Sequence, residues 1–220
     1  MKPKILILGS SSFSGASMVN YLLDKNKYKL YGTYRRRKNN SYLPYKFNKN
    51  LRLFKEYKID LSKNSKSLLN LVVRLKPNYI IDFASICMVN ESWKNSEIYF
   101  QTNVLSKTKM VEYLSKSSFL KKYIYISTPE IFGSSNKFIN EKNNIFNPTT
   151  PYATSKLSAE ILFKNYLKNH KFPLIISRFS NFYGSGQPLY RLIPKIISCI
   201  DNKRKFPIQG SGKSKRNFIF

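Results

Sequence analysis

Residues 4–15 read Lys-Ile-Leu-Ile-Leu-Gly-Ser-Ser-Ser-Phe-Ser-Gly, and this stretch decides the fold. The apolar run that ends at Leu8 predicts a short strand buried on both faces, as in a parallel sheet. From Phe13 onward apolar residues recur at helical spacing. A turn between such a strand and helix offers unpaired N–H groups and the positive end of the helix dipole. The turn from Gly9 to Gly15 is therefore a predicted pyrophosphate site. A simple helix cap is the alternative, because Ser12 stands where a glycine is usual.

The same order of strand and helix continues along the chain. Further strands are predicted at 29–33, 57–60, 79–83, 123–126 and 174–177, and helices at 13–24, 64–75, 96–117 and 151–169. This alternation predicts an α/β fold, a doubly wound, Rossmann-like parallel sheet with helices on both faces. Residues 1–178 are predicted to form a dinucleotide-binding domain. Residues 179–220 are predicted to be the start of a smaller substrate-binding part that looks truncated.

Several segments carry weaker patterns. Residues 34–50 are polar and basic, and we expect a solvated loop that buries little. Trp93 is predicted to be a core or interface aromatic rather than a pocket wall. The apolar spacing over 189–200 predicts a helix that either kinks at Pro194 or begins near it. Residues 206–220 are expected to hold a short strand, a turn and an apolar end.

The composition describes a globular, strongly basic chain. Its 220 residues are 42% hydrophobic, enough for one sizeable core. Lys and Arg number 39 against 11 Asp and Glu, and the net charge of +28 favours nucleic acid, an anionic membrane surface or a phosphorylated ligand. The basic residues are spread along the whole chain, so a general compositional bias explains the charge as well as a binding surface does. Nucleic acid is therefore not the predicted partner.

Scarce residue types limit the chemistry. His170 is the only histidine, which excludes a Ser-His-Asp triad or a multi-histidine metal site within this chain. Cys87 and Cys199 form no Cys-x-x-Cys pair, so neither a disulfide framework nor a thiolate metal site is predicted. The apolar run before Gly9 is too short for a signal peptide or a membrane span. We expect a cytoplasmic protein with no metal and no membrane partner.

The residues after the second predicted strand bear on the choice of cofactor. An acid at this point holds the adenosine ribose in NAD-preferring proteins, but this chain has Arg35 and Arg36 there. Because arginine suits a 2′-phosphate, NADP is slightly favoured over NAD. The alternative is that both arginines belong to the general basic excess.

Tyr152 and Lys156 lie four residues apart, on one face of a predicted helix. The lysine cation could favour the phenolate and hold a ribose hydroxyl. The spacing alone proves nothing, because Tyr-x-x-x-Lys begins five times, at residues 21, 34, 42, 45 and 152. Only Tyr152 opens a helix after the fifth predicted strand, where it can lie beside Thr128 at the carboxyl ends of the strands.

An ordered set of motifs runs through nearly the whole chain. They are Gly9 and Gly15, Asp60-Leu61, Asp82-Phe83-Ala84, Glu91-Ser92-Trp93, Thr102-Asn103-Val104, the run from Ile126 to Gly133, the run from Tyr152 to Lys156, the run from Arg178 to Gly184, and Gly210, Gly212, Arg216 and Phe218. In this order the chain resembles the extended short-chain dehydrogenase/reductase family, in particular its nucleotide-sugar epimerases and dehydratases.

The resemblance implies roles for individual residues. It implies NADP or NAD as cofactor and a nucleotide-diphosphate sugar as substrate, and members of the family are commonly dimers. The implied cofactor-binding residues are Gly9, Ser12, Phe13, Gly15, Arg35, Arg36, Asp60, Leu61, Ala84, Asn103, Tyr152 and Lys156. The implied catalytic residues are Thr128, Glu130, Tyr152 and Lys156, and the implied substrate-binding residues are Asn181 and Arg216.

Within that family the residues after the fifth strand separate the branches. Thr128 and Glu130 are similar to the 4,6-dehydratases, in which hydride leaves C4 of the sugar, water is lost across C5 and C6, and hydride returns to C6. The deoxythymidine-diphosphoglucose branch has an Asp where this chain has Pro129, and the guanosine-diphosphomannose branch also lacks that Asp. An epimerase or 4-keto reductase is the first alternative. A non-catalytic dinucleotide- or nucleic-acid-binding Rossmann protein is the second.

Overall fold

The computed structural model describes residues 2–36, 42–135, 138–142, 144–208, 212 and 217–220. The strands are β1 (Lys4–Leu8), β2 (Lys29–Tyr34), β3 (Phe54–Lys58), β4 (Tyr79–Asp82), β5 (Lys122–Ser127), β6 (Leu174–Arg178), β7 (Asn181–Phe182) and β8 (Phe218–Ile219). The helices are α1 (Phe13–Lys25), α2 (Ser65–Leu75), α3 (Glu91–Lys94), α4 (Ser96–Phe100), α5 (Ser106–Ser115), α6 (Pro151–His170) and α7 (Leu192–Asp201).

Strands β1 to β6 form one parallel sheet in the order β3-β2-β1-β4-β5-β6. This is the predicted doubly wound, Rossmann-like arrangement. The strand order reverses between β1 and β4, and ligands of such sheets bind at the carboxyl ends of the strands beside this switch point. The turn after β1 and the chain after β4 therefore meet where a cofactor is expected.

Strand β1 supplies side chains to both faces of the sheet. Leu6 and Leu8 join the cluster that α2, α5 and α6 cover, whereas Ile5 and Ile7 join the cluster under α1. All four are at most 4% exposed. The prediction of a strand buried on both faces is confirmed.

Two sequence-based expectations on this side of the sheet are wrong. The third strand spans Phe54–Lys58 rather than 57–60, because β3 is the edge strand and lacks the continuous apolar run of a strand buried on both faces. Residues 34–50 were expected to bury little, but within the described part of this stretch Leu43 and Tyr45 are 3% and 2% exposed. Tyr45 packs its ring edge against Phe54, with the ring centroids 5.1 Å apart.

Later segments bring three further outcomes. Trp93 is 67% exposed, so it is not a core residue. Helix α7 begins at Leu192, which places Pro194 in the first turn, where its missing N–H would have no helical partner. Residues 206–208 were expected to start a strand but have no regular structure, and the strand near the end is β8, which pairs with β7. Among the described helices, none has the length and apolar character to cross a bilayer.

Candidate functional site

The turn between β1 and α1 has the form that close approach to a ligand requires. Gly9 has a φ of +78°, and a Cβ on Gly15 would lie 2.2 Å from the Gly9 carbonyl oxygen. Ser12 caps α1, since its Oγ accepts from the Gly15 N–H at 3.1 Å and donates to the Gly9 carbonyl at 2.7 Å. The predicted cap and the predicted anion site are therefore the same turn, because a capped helix still directs its positive end outward.

The end of β2 lies against this turn. The Gly9 N–H donates to the Thr33 hydroxyl at 3.3 Å, and the Ser10 N–H donates to the Thr33 carbonyl at 2.9 Å. Arg35 and Arg36 follow at the same edge of the sheet, and both are exposed. Their contact with a 2′-phosphate stays a prediction.

Three other predicted cofactor residues make contacts of their own in the protein. The Asp60 carboxylate accepts from the backbone N–H and the hydroxyl of Ser62, and Leu61 is buried in the core. The ring of Phe13 stacks on Phe182 with the centroids 6.0 Å apart. Their assignment to the cofactor stays a prediction.

Thr128, Glu130 and Tyr152 come together at the carboxyl end of β5. Thr128 begins a 3₁₀ turn, and its Oγ1 accepts from the Glu130 N–H at 3.3 Å. Tyr152, in the first turn of α6, is 7% exposed, and its phenol lies beside Thr128. Burial raises the pKa of Tyr152 and the nearby Glu130 charge raises it further, whereas Thr128 and Arg191 lower it.

Lys156 lies one turn farther along α6, and its amine contacts the end of β5. Its Nζ donates to the Ile126 carbonyl at 2.6 Å and lies 4.3 Å from the centroid of the Tyr125 ring. Burial and, after it, the charge of Lys107 lower the pKa of Lys156 to about 7. Burial thus disfavours the charged form of this amine. Its effect on the Tyr152 phenolate stays a prediction.

Asn103 holds the chain after β4 in place. It lies in a π-helical segment, Gln101–Leu105, between α4 and α5. Its amide accepts from the Ile86 N–H at 2.9 Å and donates to the Ile86 carbonyl and to Ser155, at 3.2 and 2.9 Å. Ala84, in the same stretch, lies close to Gly9, since a Cβ on that glycine would be 3.1 Å from the Ala84 nitrogen. Asn103 thus joins the switch point to α6, and direct contact with the cofactor stays a prediction.

Sequence reasoning did not identify Cys87 and Arg191 as site residues. The Arg191 guanidinium donates to the Cys87 sulfur at 3.2 Å, and the electrostatic effect of both groups reaches Tyr152. They are 104 positions apart in the sequence. Arg191 precedes α7 and Cys87 follows β4, and only the fold brings these two residues together. No local sequence pattern could therefore reveal their contact.

Of the two predicted substrate residues, Asn181 lies within the described part of the chain. Asn181 lies in β7, is exposed, and its amide donates to the Asn217 carbonyl at 3.4 Å. Arg216 and Gly210 lie outside the described residues. Both substrate assignments stay predictions.

The residues at this edge of the sheet fit a dinucleotide. The turn after β1 leaves no room for side chains at its glycines, and α1 directs its positive end toward it. The hydroxyl of Ser127, at the carboxyl end of β5, is buried and has no partner within the described part of the chain. A buried polar atom without a partner is costly, and a bound polar ligand would satisfy it.

The chain matches known proteins along its length. The family model described as the NAD dependent epimerase/dehydratase family matches residues 5–220. A dTDP-D-glucose 4,6-dehydratase of Dictyostelium discoideum is 37% identical over 178 residues, which are 76% of this chain and 41% of that protein. The human enzyme of the same name is 34% identical over 145 residues, 66% of this chain and 41% of its own length. The chain thus spans less than half the length of these relatives.

Solved structures agree with the fold. The dTDP-glucose 4,6-dehydratase of Bacillus anthracis, in complex with NAD, superposes with a TM-score of 0.84 at 25% identity over 99% of this chain and 67% of that one. A UDP-glucuronic acid 4-epimerase of Bacillus cereus, in complex with UDP-glucuronic acid and NAD, gives 0.82 at 25% identity over 98% and 68%. With its motifs, its sheet order and these matches, the chain belongs to the NAD-dependent epimerase/dehydratase family.

Proposed function

We propose that the protein is an NAD(P)-dependent nucleotide-sugar 4,6-dehydratase. One observation carries the proposal: the buried Tyr152 lies beside Thr128, and Glu130, two residues farther on, lies near enough for its charge to raise the pKa of the Tyr152 phenol. This places a hydroxyl, a phenol and a carboxylate around one point at the carboxyl end of β5. An elimination next to a carbonyl needs a group that handles a hydroxyl proton and a separate base for a C–H proton.

The bound cofactor would accept hydride from C4 of the sugar and later return it to C6. Tyr152 takes the proton of the 4-hydroxyl, which Thr128 holds by a hydrogen bond. Burial raises the pKa of Tyr152, and the positive charge of Arg191 only partly offsets this. The positive charge of an oxidised nicotinamide beside the phenol would lower that pKa further when the cofactor is bound. Lys156 holds a ribose hydroxyl of the cofactor.

Glu130 removes the C5 proton once C4 is a ketone. That ketone acidifies C5, so a carboxylate is a strong enough base. Pro129 has no proton to give to the departing C6 hydroxyl. Glu130, which then carries the C5 proton, passes it to that hydroxyl, and water leaves. As C6 receives the hydride, C5 takes up a proton from solvent, and Tyr152 releases the proton that it took from the 4-hydroxyl. The net change is the loss of one water molecule, with no net oxidation of the sugar.

An epimerase is the second candidate, and one observation favours it. Pro129 leaves the turn after β5 without a second acid, and an epimerase needs none, since it only removes and returns hydrogen at C4. The match to the UDP-glucuronic acid 4-epimerase is as good in shape as the match to the dehydratase.

A nucleotide sugar that carries deuterium at C4 separates the two candidates. The protein is incubated with NADP or NAD and, in turn, with deuterated sugars linked to thymidine, uridine and guanosine diphosphate. A dehydratase yields a product lighter by one water, with deuterium at C6. An epimerase yields a product of unchanged mass with deuterium still at C4. No conversion of any sugar in the panel would contradict the proposal.

Two variants test the assignment of Glu130 as the base, one at the site and one as its control. Glu130→Gln keeps the shape of the side chain but removes the base, so it should abolish loss of water and leave oxidation at C4. Glu141→Gln, an exposed change of the same kind, should leave turnover unchanged.

A further inference from the structure

A buried ion pair lies behind the site and takes no part in the mechanism above. The Nζ of Lys107 lies 2.6 Å from Oδ2 of Asp82, and both side chains are 0% exposed. The Tyr123 hydroxyl donates to the same carboxylate oxygen at 2.7 Å, and the Ala84 N–H donates to Oδ1 at 3.1 Å. A buried carboxylate with three donors is fully satisfied, which is the condition for keeping such a pair inside a protein.

The ion pair also fixes the chain after β4. The Lys107 Nζ donates to the Ala84 carbonyl at 2.8 Å. Two residues farther on, Asn103 holds both backbone groups of Ile86, and Cys87 follows directly. Lys107 and Asn103 lie one helical turn apart, so one stretch of helix holds the backbone just before Cys87. Cys87 in turn accepts from Arg191 and acts on Tyr152.

A second contact connects Lys107 with Lys156. The two ammonium groups lie against the same aromatic ring, that of Tyr125, at 5.2 and 4.3 Å from its centroid. Tyr125 is 0% exposed, so bulk solvent does not lie between the two charges. Two like charges placed in this way must repel.

We propose that Lys107, held by Asp82, is a positioning residue of the Tyr152–Lys156 pair, and that it sets how readily Lys156 takes up a proton. The role of Lys107 in turnover rests on the proposed function, whereas its effect on the protonation of Lys156 does not. The side chain of Lys107 is 0% exposed, so it has no free surface to offer a sugar or a cofactor. It acts through the Tyr125 ring and through the segment that it clamps at Ala84.

Several charged or titratable groups act on Lys156. Lys107 on α5 lowers its pKa, whereas Asp82 on β4, Cys87 in the segment after β4 and Glu160 on α6 raise it. Of these, Lys107 has the largest effect after burial itself. Replacing Lys107 by a neutral residue removes the repulsion and leaves the Asp82 charge uncompensated, and both changes make Lys156 easier to protonate.

The test is a titration of Lys156 in the intact chain, followed by carbon-13 NMR of the lysine Cε atoms and assigned by the signal lost in Lys156→Arg. In Lys107→Met the midpoint of Lys156 should rise by about one pH unit. In Lys107→Arg, which keeps the charge, it should stay near the wild-type value. Leu114→Ala, a core change on the same helix, is the control for loss of stability and should not move it.

The double variant Asp82→Asn/Lys107→Met keeps the test valid if Lys107→Met fails to fold, because it leaves no unpaired buried charge. Its midpoint should rise by less than that of the single variant. An unmoved midpoint in the folded Lys107→Met protein or in the double variant, or an equal shift in Leu114→Ala, would overturn the proposal.

Where a sugar is turned over, Lys107→Met should lower kcat and leave KM unchanged. Because the titration needs no substrate, absence of turnover would count against the proposed function alone.

Discussion

The sheet body, residues 2–178, and the C-terminal segment, residues 179–220, are built in different ways. In the sheet body two clusters of buried side chains fill both faces of six strands. In the C-terminal segment β7 and β8 are two residues long, and α7, all of whose residues are described, has none that is buried. Its exposed apolar residues include Leu192, Ile197 and Ile200.

The two regions nevertheless meet at the candidate site. Phe182 stacks on Phe13 at the start of α1, and Arg191 donates to Cys87. The buried clusters that stabilise the fold and the residues expected to bind the cofactor therefore both belong to the sheet body. The C-terminal segment contributes side chains that reach over the site. Four changes test this division.

The largest effect is expected at Tyr152. Tyr152→Phe removes the phenolic proton and keeps the ring, so turnover should fall by about 10² to 10⁴, the usual contribution of an acid or base. Binding of NADP and the melting temperature should change little. Both are measured beside turnover, with Tyr113→Phe on α5 as the control. A lower melting temperature with unchanged turnover per folded molecule would make Tyr152 a structural residue.

The next effect concerns stability and compares the two regions directly. Phe163 is 0% exposed, and its ring centroid lies 4.8 Å from that of Tyr125, so Phe163→Ala should lower the free energy of unfolding by about 3–5 kcal/mol. Ile197 on α7 is 53% exposed, and Ile197→Ala should cost less than about 0.5 kcal/mol. Urea denaturation measures both. Equal losses of unfolding free energy in the two variants would contradict the division between the sheet body and the C-terminal segment.

Much of the sheet body could be predicted from sequence, because local patterns determine it. Buried parallel strands such as β1 are continuous apolar runs, and the helices between them show regular spacing. The edge strand was misplaced because Phe54–Lys58 has two aromatic residues among three charged ones and no such run. Tyr45 was missed because its burial depends on Phe54 and on Glu56, to which its hydroxyl donates at 3.0 Å.

The candidate site was predictable only where a motif and an element coincide. Tyr152 and Thr128 follow from their places after β5. Lys107 could not be recognised, because a lysine in a polar helix segment is expected in solvent and only the carboxylate of Asp82 makes its burial possible. Arg191 likewise needs the long-range contact with Cys87.

A third change tests whether the cofactor preference also resides in the sheet body. Replacing Arg35 and Arg36 by Ala should weaken NADP binding by roughly 10- to 100-fold, since charge-assisted hydrogen bonds contribute about 1.5–3 kcal/mol. NAD, which has no 2′-phosphate, should bind about as before. Fluorescence titration with both reduced cofactors measures the two affinities, and Arg204→Ala in the C-terminal segment is the control. Equal weakening for NAD and NADP would show that the arginines act only through their general charge.

The smallest effect is the pH dependence that Lys156 gives to stability. Burial lowers its pKa from 10.5 to about 7, so between these values the unfolded chain holds a proton that the folded chain has released. Because the unfolded state binds more protons there, the free energy of unfolding rises with pH in that window, by about 1 kcal/mol per pH unit from this group.

Lys156→Met removes the contribution, so the stability of the wild type relative to the variant should increase from pH 7 to pH 9, at about that rate. Urea denaturation at several pH values measures it, and Lys195→Met on α7 is the matched control for the loss of one positive charge. A constant difference between wild type and Lys156→Met would mean that Lys156 keeps its proton in the folded protein, and that the sheet body does not enclose this amine as tightly as the Ile126 and Tyr125 contacts require.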